Sequence, residues 1–260
     1  LFMSTVLIGE PPYEQVGTHG VVVSEDGSRF SKTGVMIRFE EAAEKIGADA
    51  SRYIYVSTPA TSEVRFGFSL GDDAKRRLLA FWNIVVFFDL YYQIDKPELN
   101  RVPELTDKSD RWLSARVRKF VSAATAAYEA YEPWEIIKLF EKCVDDVSNW
   151  YIRINRKRFW KSEMNEDKYT AYYALYRAIK MMTQVMAPII PFMTEWIWQA
   201  LVLRVEPDEE HSVHLTRFPE SAGVDEEILS ETEVAREVIT GALKLRNENN
   251  LKIKQPLSAL

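Results

Sequence analysis

The segment Asp26-Gly27-Ser28-Arg29-Phe30-Ser31-Lys32-Thr33-Gly34 gathers cations, hydroxyls and glycines into one short stretch. A lysine offers a point charge to phosphate oxygens, and small neighbours let the backbone approach them. A cationic, hydroxyl-bearing loop of this kind suits a polyphosphate. Taken alone, the same residues are more simply a polar surface turn, with Gly27 and Gly34 as turn residues. A second stretch, Ser148-Asn149-Trp150-Tyr151-Ile152-Arg153-Ile154-Asn155-Arg156-Lys157-Arg158-Phe159-Trp160-Lys161, interleaves cations with planar rings. On a helix, Arg153, Arg156 and Lys157 share one face at i, i+3 and i+4, Lys161 continues it, and Arg158 points elsewhere. Charge for phosphates and rings for bases are what an unstacked RNA loop requires. A basic helix end also complements the helix dipole, and the rings, Trp150 and Trp160 included, also read as bundle core crossed by arginine stems.

The elements that must position these residues follow from periodicity. His19-Gly20-Val21-Val22-Val23 reads as a β-branched strand leading into the loop, and residues 38–49 as a short helix stopped by Gly47. Arg52-Tyr53-Ile54-Tyr55-Val56-Ser57 is compatible with either a strand or a continued helix. From Gly71 onward the pattern is helical: Leu78, Leu79, Phe81, Trp82, Val85, Val86 and Phe88 recur at helix spacing, with Asp72-Asp73 as the expected cap. Further helices are predicted over 108–131, over 133–160 with Pro133 in the first turn, over 165–186, from Pro191 to about 204, and over 225–248. Val213-His214-Leu215 reads as extended within a polar stretch. The predicted fold class is mainly α, an antiparallel helical bundle preceded by a small α/β piece, with the division falling between residues 70 and 105.

Composition narrows the function classes. With 260 residues and 47% hydrophobic content, including seven Trp, 12 Tyr and 13 Phe, the chain can bury a large aromatic core. A net charge of −6 argues against whole-surface nucleic-acid binding while leaving room for a local basic stripe. The single cysteine, Cys143, rules out an intrachain disulfide and reads as helix core; a reducing, cytoplasmic setting fits. His19, His211 and His214 offer no ligand spacing with acidic partners, so no metal site is expected. No signal peptide and no run of about 18 apolar residues is seen. The first residues read as the middle of an element, so a fragment of a longer protein is expected.

Taken in order, the segments resemble class I aminoacyl-tRNA synthetases. Arg29-Phe30-Ser31-Lys32-Thr33 resembles the KMSKS signature, and His19-Gly20-Val21-Val22-Val23-Ser24-Glu25-Asp26-Gly27 its lead-in. Gly47-Ala48-Asp49-Ala50-Ser51-Arg52 resembles the following GADA-x-R helix, and Phe81-Trp82-Asn83 the helix that enters the anticodon-binding bundle. Within the class the isoleucyl branch is most similar, through 148–160, Ala187-Pro188-Ile189-Ile190-Pro191-Phe192, Ser212-Val213-His214-Leu215 and Lys252-Ile253-Lys254-Gln255-Pro256-Leu257. Arg29, Phe30 and Thr33 depart from the signature's Lys, Met and Ser, and the segment after the loop is one residue short.

The resemblance implies the end of a Rossmann-type catalytic domain over 1–70, an anticodon-binding bundle over 71–205, and a C-terminal extension over 206–260. It implies ATP, with Mg2+ accompanying it, isoleucine and tRNA(Ile) as substrates of the full-length ligase. It makes Lys32 the catalytic contact to the leaving phosphates, with Arg29, Ser31 and Thr33 holding ATP beside it. It makes Arg153, Arg156 and Lys157 candidates for RNA contact. The HIGH-motif half of the active site is not in this sequence, so the chain alone is not expected to aminoacylate. A non-catalytic tRNA- or RNA-binding module and a helical protein-interaction scaffold are the alternatives. The Lys32 loop separates enzyme from scaffold, and the basic aromatic helix separates RNA binder from scaffold.

Overall fold

The computed structural model describes residues 1–260 except 15, 32, 35, 162, 253, 254 and 256–260. Lys32 and most of the 252–257 segment therefore lie outside the described residues.

A first helix, α1 (Phe2–Ile8), is followed by a two-stranded parallel sheet in which β1 (Val22–Val23) pairs with β2 (Val64–Arg65), Val22 opposite Val64 and Val23 opposite Arg65. Between the strands lie α2 (Phe39–Lys45) and α3 (Ala48–Val56). The ambiguous 52–57 stretch is thus helical through Val56: Tyr53 and Ile54 are buried one after the other against α4, a burial a helix face supplies and an edge strand would not. The bundle proper comprises α4 (Phe68–Asp95), α5 (Lys108–Glu129), α6 (Pro133–Asp145), α7 (Arg153–Trp160), α8 (Glu166–Met186), α9 (Pro191–Ile197), α10 (Leu203–Val205) and α11 (Glu226–Glu248). The helix predicted over 133–160 is continuous, but Asp146–Ile152 within it is π-helical, as is Trp198–Val202 between α9 and α10. Val213–Leu215 forms a 3-10 turn rather than an extended segment. The Ser212 hydroxyl accepts the His214 N–H at 3.2 Å, and the Glu195 carboxylate accepts the Val213 N–H at 3.1 Å, which curls the backbone.

Side-chain oxygens start several of these helices by accepting orphan N–H groups of the first turn. Asp107 accepts from Ser109 N–H, Asn165 from Lys168 N–H and Asp225 from Ile228 N–H. The predicted cap at Asp72-Asp73 is not one. The helix begins earlier, at Phe68, and both aspartates sit within it, paired with Lys75 and Arg76.

The core lies where α5 packs between α6 and α8. Phe88, Phe120, Phe140, Phe159, Tyr172 and Tyr176 are buried there, in largely edge-on and tilted contacts such as Phe159–Tyr172 at 5.0 Å and Phe81–Phe140 at 5.3 Å. Cys143 is buried in this core, where loss of solvation pushes its thiol up to about 12. Among the described residues no helix is long and apolar enough to cross a membrane.

Two of the bundle's ion-pair centres bear on α7 and the π-helical turn before it. Asp110, with 0% exposure, accepts both Nη1 and Nη2 of Arg158 at 2.8 Å and the Tyr151 hydroxyl at 2.7 Å. Arg158 also donates to Asn155 Oδ1 at 2.9 Å and Thr170 Oγ1 at 3.0 Å, and its Nε lies 2.9 Å from Asp167 Oδ1 in a charge contact without an aligned hydrogen bond. Burial works against the Arg158 charge, but the bonds and charge of Asp110 outweigh it and hold the guanidinium above its ordinary range. Burial, reinforced by Asp110, likewise keeps the Tyr151 phenol protonated. The second centre is Asp146, at the start of the π-helical segment, gripped by Arg116 at 2.5 Å and Arg236 of α11 at 2.7 Å.

A buried charge left without its partner is costly. Asp110→Ala should therefore lower stability by about 3–5 kcal/mol, read from urea unfolding. Adding Arg158→Met should restore much of that loss, because no guanidinium is then stranded. A loss below about 1 kcal/mol for Asp110→Ala alone, the range of an exposed pair, would show that the centre does not hold the bundle.

Candidate functional site

The loop at 29–34 leaves a tight hairpin. Ser24 N–H donates to Ser28 O at 2.8 Å, Gly27 N–H donates to Ser24 O at 2.9 Å, and Gly27 takes the left-handed conformation at φ 86. Asp26 accepts the Ser24 hydroxyl and the Ser28 N–H, and these bonds hold its carboxyl at about 2. Val23 bridges Arg29 across the turn, so the strand returns on itself just before the loop begins. Beyond it, Arg29, Ser31 and Thr33 are exposed, and the Arg29 side chain has no hydrogen bond or ion pair among the described residues. Phe30 instead packs inward against the core. Ahead of the hairpin, a Cβ on Gly20 would lie 2.0 Å from the Ser62 carbonyl oxygen, so only glycine lets the chain just before β1 approach the neighbouring backbone.

Two acidic side chains fasten this loop-bearing piece to the bundle. Glu25, inside the hairpin, accepts Ser69 N–H at 2.7 Å, the Ser69 hydroxyl at 2.7 Å and Leu70 N–H at 3.2 Å. It is the cap of α4, delivered from 44 residues upstream. The Ser69 hydroxyl and then the Leu70 amide draw its pKa below the ordinary 4.5. Gly67 makes room for this carboxylate, since a Cβ there would lie 2.2 Å from Glu25 Cγ. Asp49 of α3 does the same for α9, accepting Phe192 N–H at 3.2 Å and Met193 N–H at 2.7 Å. One turn on, Arg52 donates to the carbonyls of Pro188 at 2.7 Å and Ile189 at 3.0 Å. One turn of α3 thus satisfies first-turn N–H groups of α9 and carbonyls of the turn that precedes it. The two strings picked out separately in the sequence, 47–52 and 187–192, are bonded to each other.

At the other end of α4 lies the basic face. Arg153, Arg156 and Lys157 are all exposed on α7, as their spacing predicts. Arg153 and Lys157 have no hydrogen bond or ion pair among the described residues, and the Arg156 guanidinium lies 5.1 Å above the Trp160 ring. Lys161 does not extend the face as a free charge, because Asp167 pairs with it at 3.3 Å. Arg158 faces inward, as described above. Of the four rings, Tyr151 and Phe159 are core, Trp150 is half-buried beneath the Arg236 guanidinium, and Trp160 is 57% exposed, its indole N–H donating to Tyr91 of α4.

The structure does not bring the two sets of candidate residues together. The loop is anchored at Ser69 and the basic face at Tyr91, and at 1.5 Å per residue these points stand about 33 Å apart along one helix. The loop offers exposed cation and hydroxyls at one end. The other end offers a cationic, ring-bearing ridge suited to a nucleic-acid backbone with unstacked bases. Sequence reasoning missed Glu25, Asp49 and Arg52 as the joints between these ends; the acidic and basic residues three apart on α3 were the available signal.

Residues 110–260 match the family described as the anticodon-binding domain of tRNA ligase, and residues 1–67 match class I tRNA synthetases (I, L, M and V). An isoleucine–tRNA ligase of Thermus thermophilus is 36% identical over 266 residues, covering 99% of this chain and 26% of its own length. One from Dehalococcoides mccartyi is 36% identical over 267 residues, covering 98% of this chain and again 26% of the relative. The chain therefore spans 26% of the length of these relatives. Among solved structures, the LeuRS–tRNA–LeuAMS ternary complex from Agrobacterium radiobacter K84 superposes with a TM-score of 0.60 at 15% identity, over 81% of this chain and 24% of that one. The apo methionyl-tRNA synthetase of Mycobacterium tuberculosis gives 0.54 at 15% identity, over 70% of this chain and 36% of that one. At that identity the likeness is one of fold.

The remote cap yields a direct test. Glu25→Ala should cost about 1 kcal/mol, the scale of an N-cap, with faster amide exchange at Ser69 and Leu70. Because the folded pKa is depressed, the carboxylate's contribution is complete above its ordinary 4.5 and is lost as pH falls through the lower folded value. The gap between wild type and variant should close on acidification. A gap that is constant with pH would mean that the charge of Glu25 does not cap α4.

Proposed function

The chain belongs to the anticodon-binding domain family of tRNA ligases, and from that premise we propose that it is the part of an isoleucine–tRNA ligase that carries the ATP loop and the anticodon-binding bundle. The observation that carries this reading is the 36% identity to an isoleucine–tRNA ligase over 99% of this chain, a span that takes in both matched regions. The proposed organisation places the end of the catalytic domain at 1–70, the bundle at 71–205 and an extension at 206–260. Aminoacylation is proposed of the longer cytoplasmic protein, with isoleucine, ATP accompanied by Mg2+, and tRNA(Ile) as its substrates.

In the proposed reaction the isoleucine carboxylate attacks the α-phosphate of ATP, forming the adenylate and releasing pyrophosphate. The aminoacyl group then passes to the 3′ end of the tRNA. Negative charge accumulates on the departing phosphates, and preorganised cations are the strongest means of stabilising it. Lys32 takes that role, Arg29 adds a second charge, and the Ser31 and Thr33 hydroxyls donate to phosphate oxygens. The Asp26-Gly27 hairpin and the Glu25 cap fix where this loop springs from the bundle. At the far end of α4, Arg153, Arg156 and Lys157 take tRNA phosphates, and the exposed Trp160 ring offers a stacking surface beside them.

The test is binding of the chain to isoleucine tRNA transcripts, native and anticodon-substituted, across a salt series. Each phosphate contact contributes about 0.7–0.9 to the slope of log K against log salt. Replacing Arg153, Arg156 and Lys157 with alanine should therefore flatten the slope by about 2, and anticodon substitution should weaken binding to the wild type. Absence of salt-sensitive binding would favour a protein-interaction scaffold and overturn the reading.

A further inference from the structure

We infer that α11 is a strap, clasped to the bundle by an ionic seam and built to lift from it as a unit while the bundle stays folded. The inference goes beyond the RNA-binding reading above and stands or falls independently of it.

Packing sets α11 apart from the other long helices. α5 and α8 bury continuous faces, whereas α11, 23 residues long, buries only Ile228, with Leu229 half-buried beside it. Val234, Val238, Ile239, Leu243 and Leu245, along the rest of the helix, are exposed. Apolar contact therefore fastens chiefly its first turn, against α5. The chain enters α11 through Gly223, left-handed at φ 77, two residues before the Asp225 cap. Glycine takes that conformation without strain, which makes this the turn about which the strap moves.

The seam itself is built of charges. Arg111 pairs with Asp225 at 2.6 Å, Lys119 with Glu226 at 2.8 Å and Lys108 with Glu231 at 3.0 Å. In all three the cation belongs to α5 and the carboxylate to the strap. Arg118 adds a bond to the Ala222 carbonyl just before the turn. These pairs are open to solvent, so salt weakens them. The fourth clasp, Arg236 on Asp146, reaches a buried carboxylate and would resist release if Asp146 depended on it. It does not, because Arg116 holds the other oxygen of Asp146 at 2.5 Å. Arg236 is itself partly exposed, so it can pass into water and leave no buried charge stranded. Once α11 lifts, Lys108, Arg111 and Lys119 are without counter-charges, and the Trp150 ring loses the guanidinium that lies 5.3 Å above it.

The experiment is energy transfer across the seam. Donor and acceptor dyes are placed on Lys138→Cys of α6 and Glu237→Cys of α11 in the 260-residue chain. Both positions are exposed, and the buried Cys143 stays unlabelled. Sodium chloride is raised from about 50 mM to about 1 M, where the Debye length falls to about 3 Å. The dye separation should pass from one narrow distance to a broad distribution, while amide exchange in α8 stays as slow as before. Glu226→Gln combined with Glu231→Gln keeps the side-chain shapes and removes two of the pairs, and should lower the salt midpoint about twofold. Arg236→Gln should lower it as well and leave α8 exchange unchanged, because Asp146 keeps Arg116. A separation that stays narrow at high salt would show that Ile228 and Leu229, not the charges, hold α11 in place. Broadening that comes only together with fast exchange in α8 would make α11 part of the core's own folding unit. Either result overturns the inference and leaves the RNA-binding reading untouched.

Discussion

The buried pair of Asp110 and Arg158 sets the orientation of everything that α7 presents. A guanidinium taken out of water must have its donors occupied, and Asp110, Asn155, Thr170 and Asp167 surround this one from α5, α7 and α8. With Arg158 fixed inward, the helix has one rotation left to it. Arg153, Arg156 and Lys157 then face outward, with Trp160 beside them against Tyr91. The π-helical turn at Asp146–Ile152 belongs to the same arrangement. It inserts a wider turn just before α7 and lets Tyr151 reach Asp110 while Asp146 reaches Arg116 and Arg236.

A related constraint holds the two ends of the molecule in one frame. Helix N-termini present N–H groups that need acceptors, and here the acceptors for α4 and α9 come from the loop-bearing piece, as Glu25 and Asp49. Arg52 completes the second joint by occupying the Pro188 and Ile189 carbonyls in the turn between α8 and α9. The result is a hairpin mounted on one end of a 28-residue helix whose other end supports the basic face. Such bonds carry more positional than energetic weight, since each is partly exposed to solvent.

Periodicity made most of the fold legible. The apolar spacing from Leu78 to Phe88, the proline at position 133 and the polar breaks near 162 and 206 place the helices within a few residues of where they lie. What it could not supply were partners distant in sequence. Asp72 and Asp73 looked like a cap because the true one, Glu25, is 44 residues upstream. Arg158 was excluded from the outward face by helix spacing, yet its role as the most heavily bonded cation of the core required knowing that Asp110 faces it. The spacing also gave Lys161 to the basic face, where Asp167 of the next helix claims it. The exposure of Trp160 reverses the simplest expectation for a tryptophan at a helix end, while Tyr151 and Phe159 follow it.

The most direct measurement is a lysine-labelling footprint of the chain with and without isoleucine tRNA. Lys157 stands on the outward face of α7, whereas Lys138 is in the first half of α6, paired with Glu135 and 68% exposed. The account predicts that tRNA slows acylation of Lys157 severalfold, that the protection disappears as salt rises, and that Lys138 is unaffected. Equal labelling of Lys157 in the free and tRNA-bound chain would contradict it.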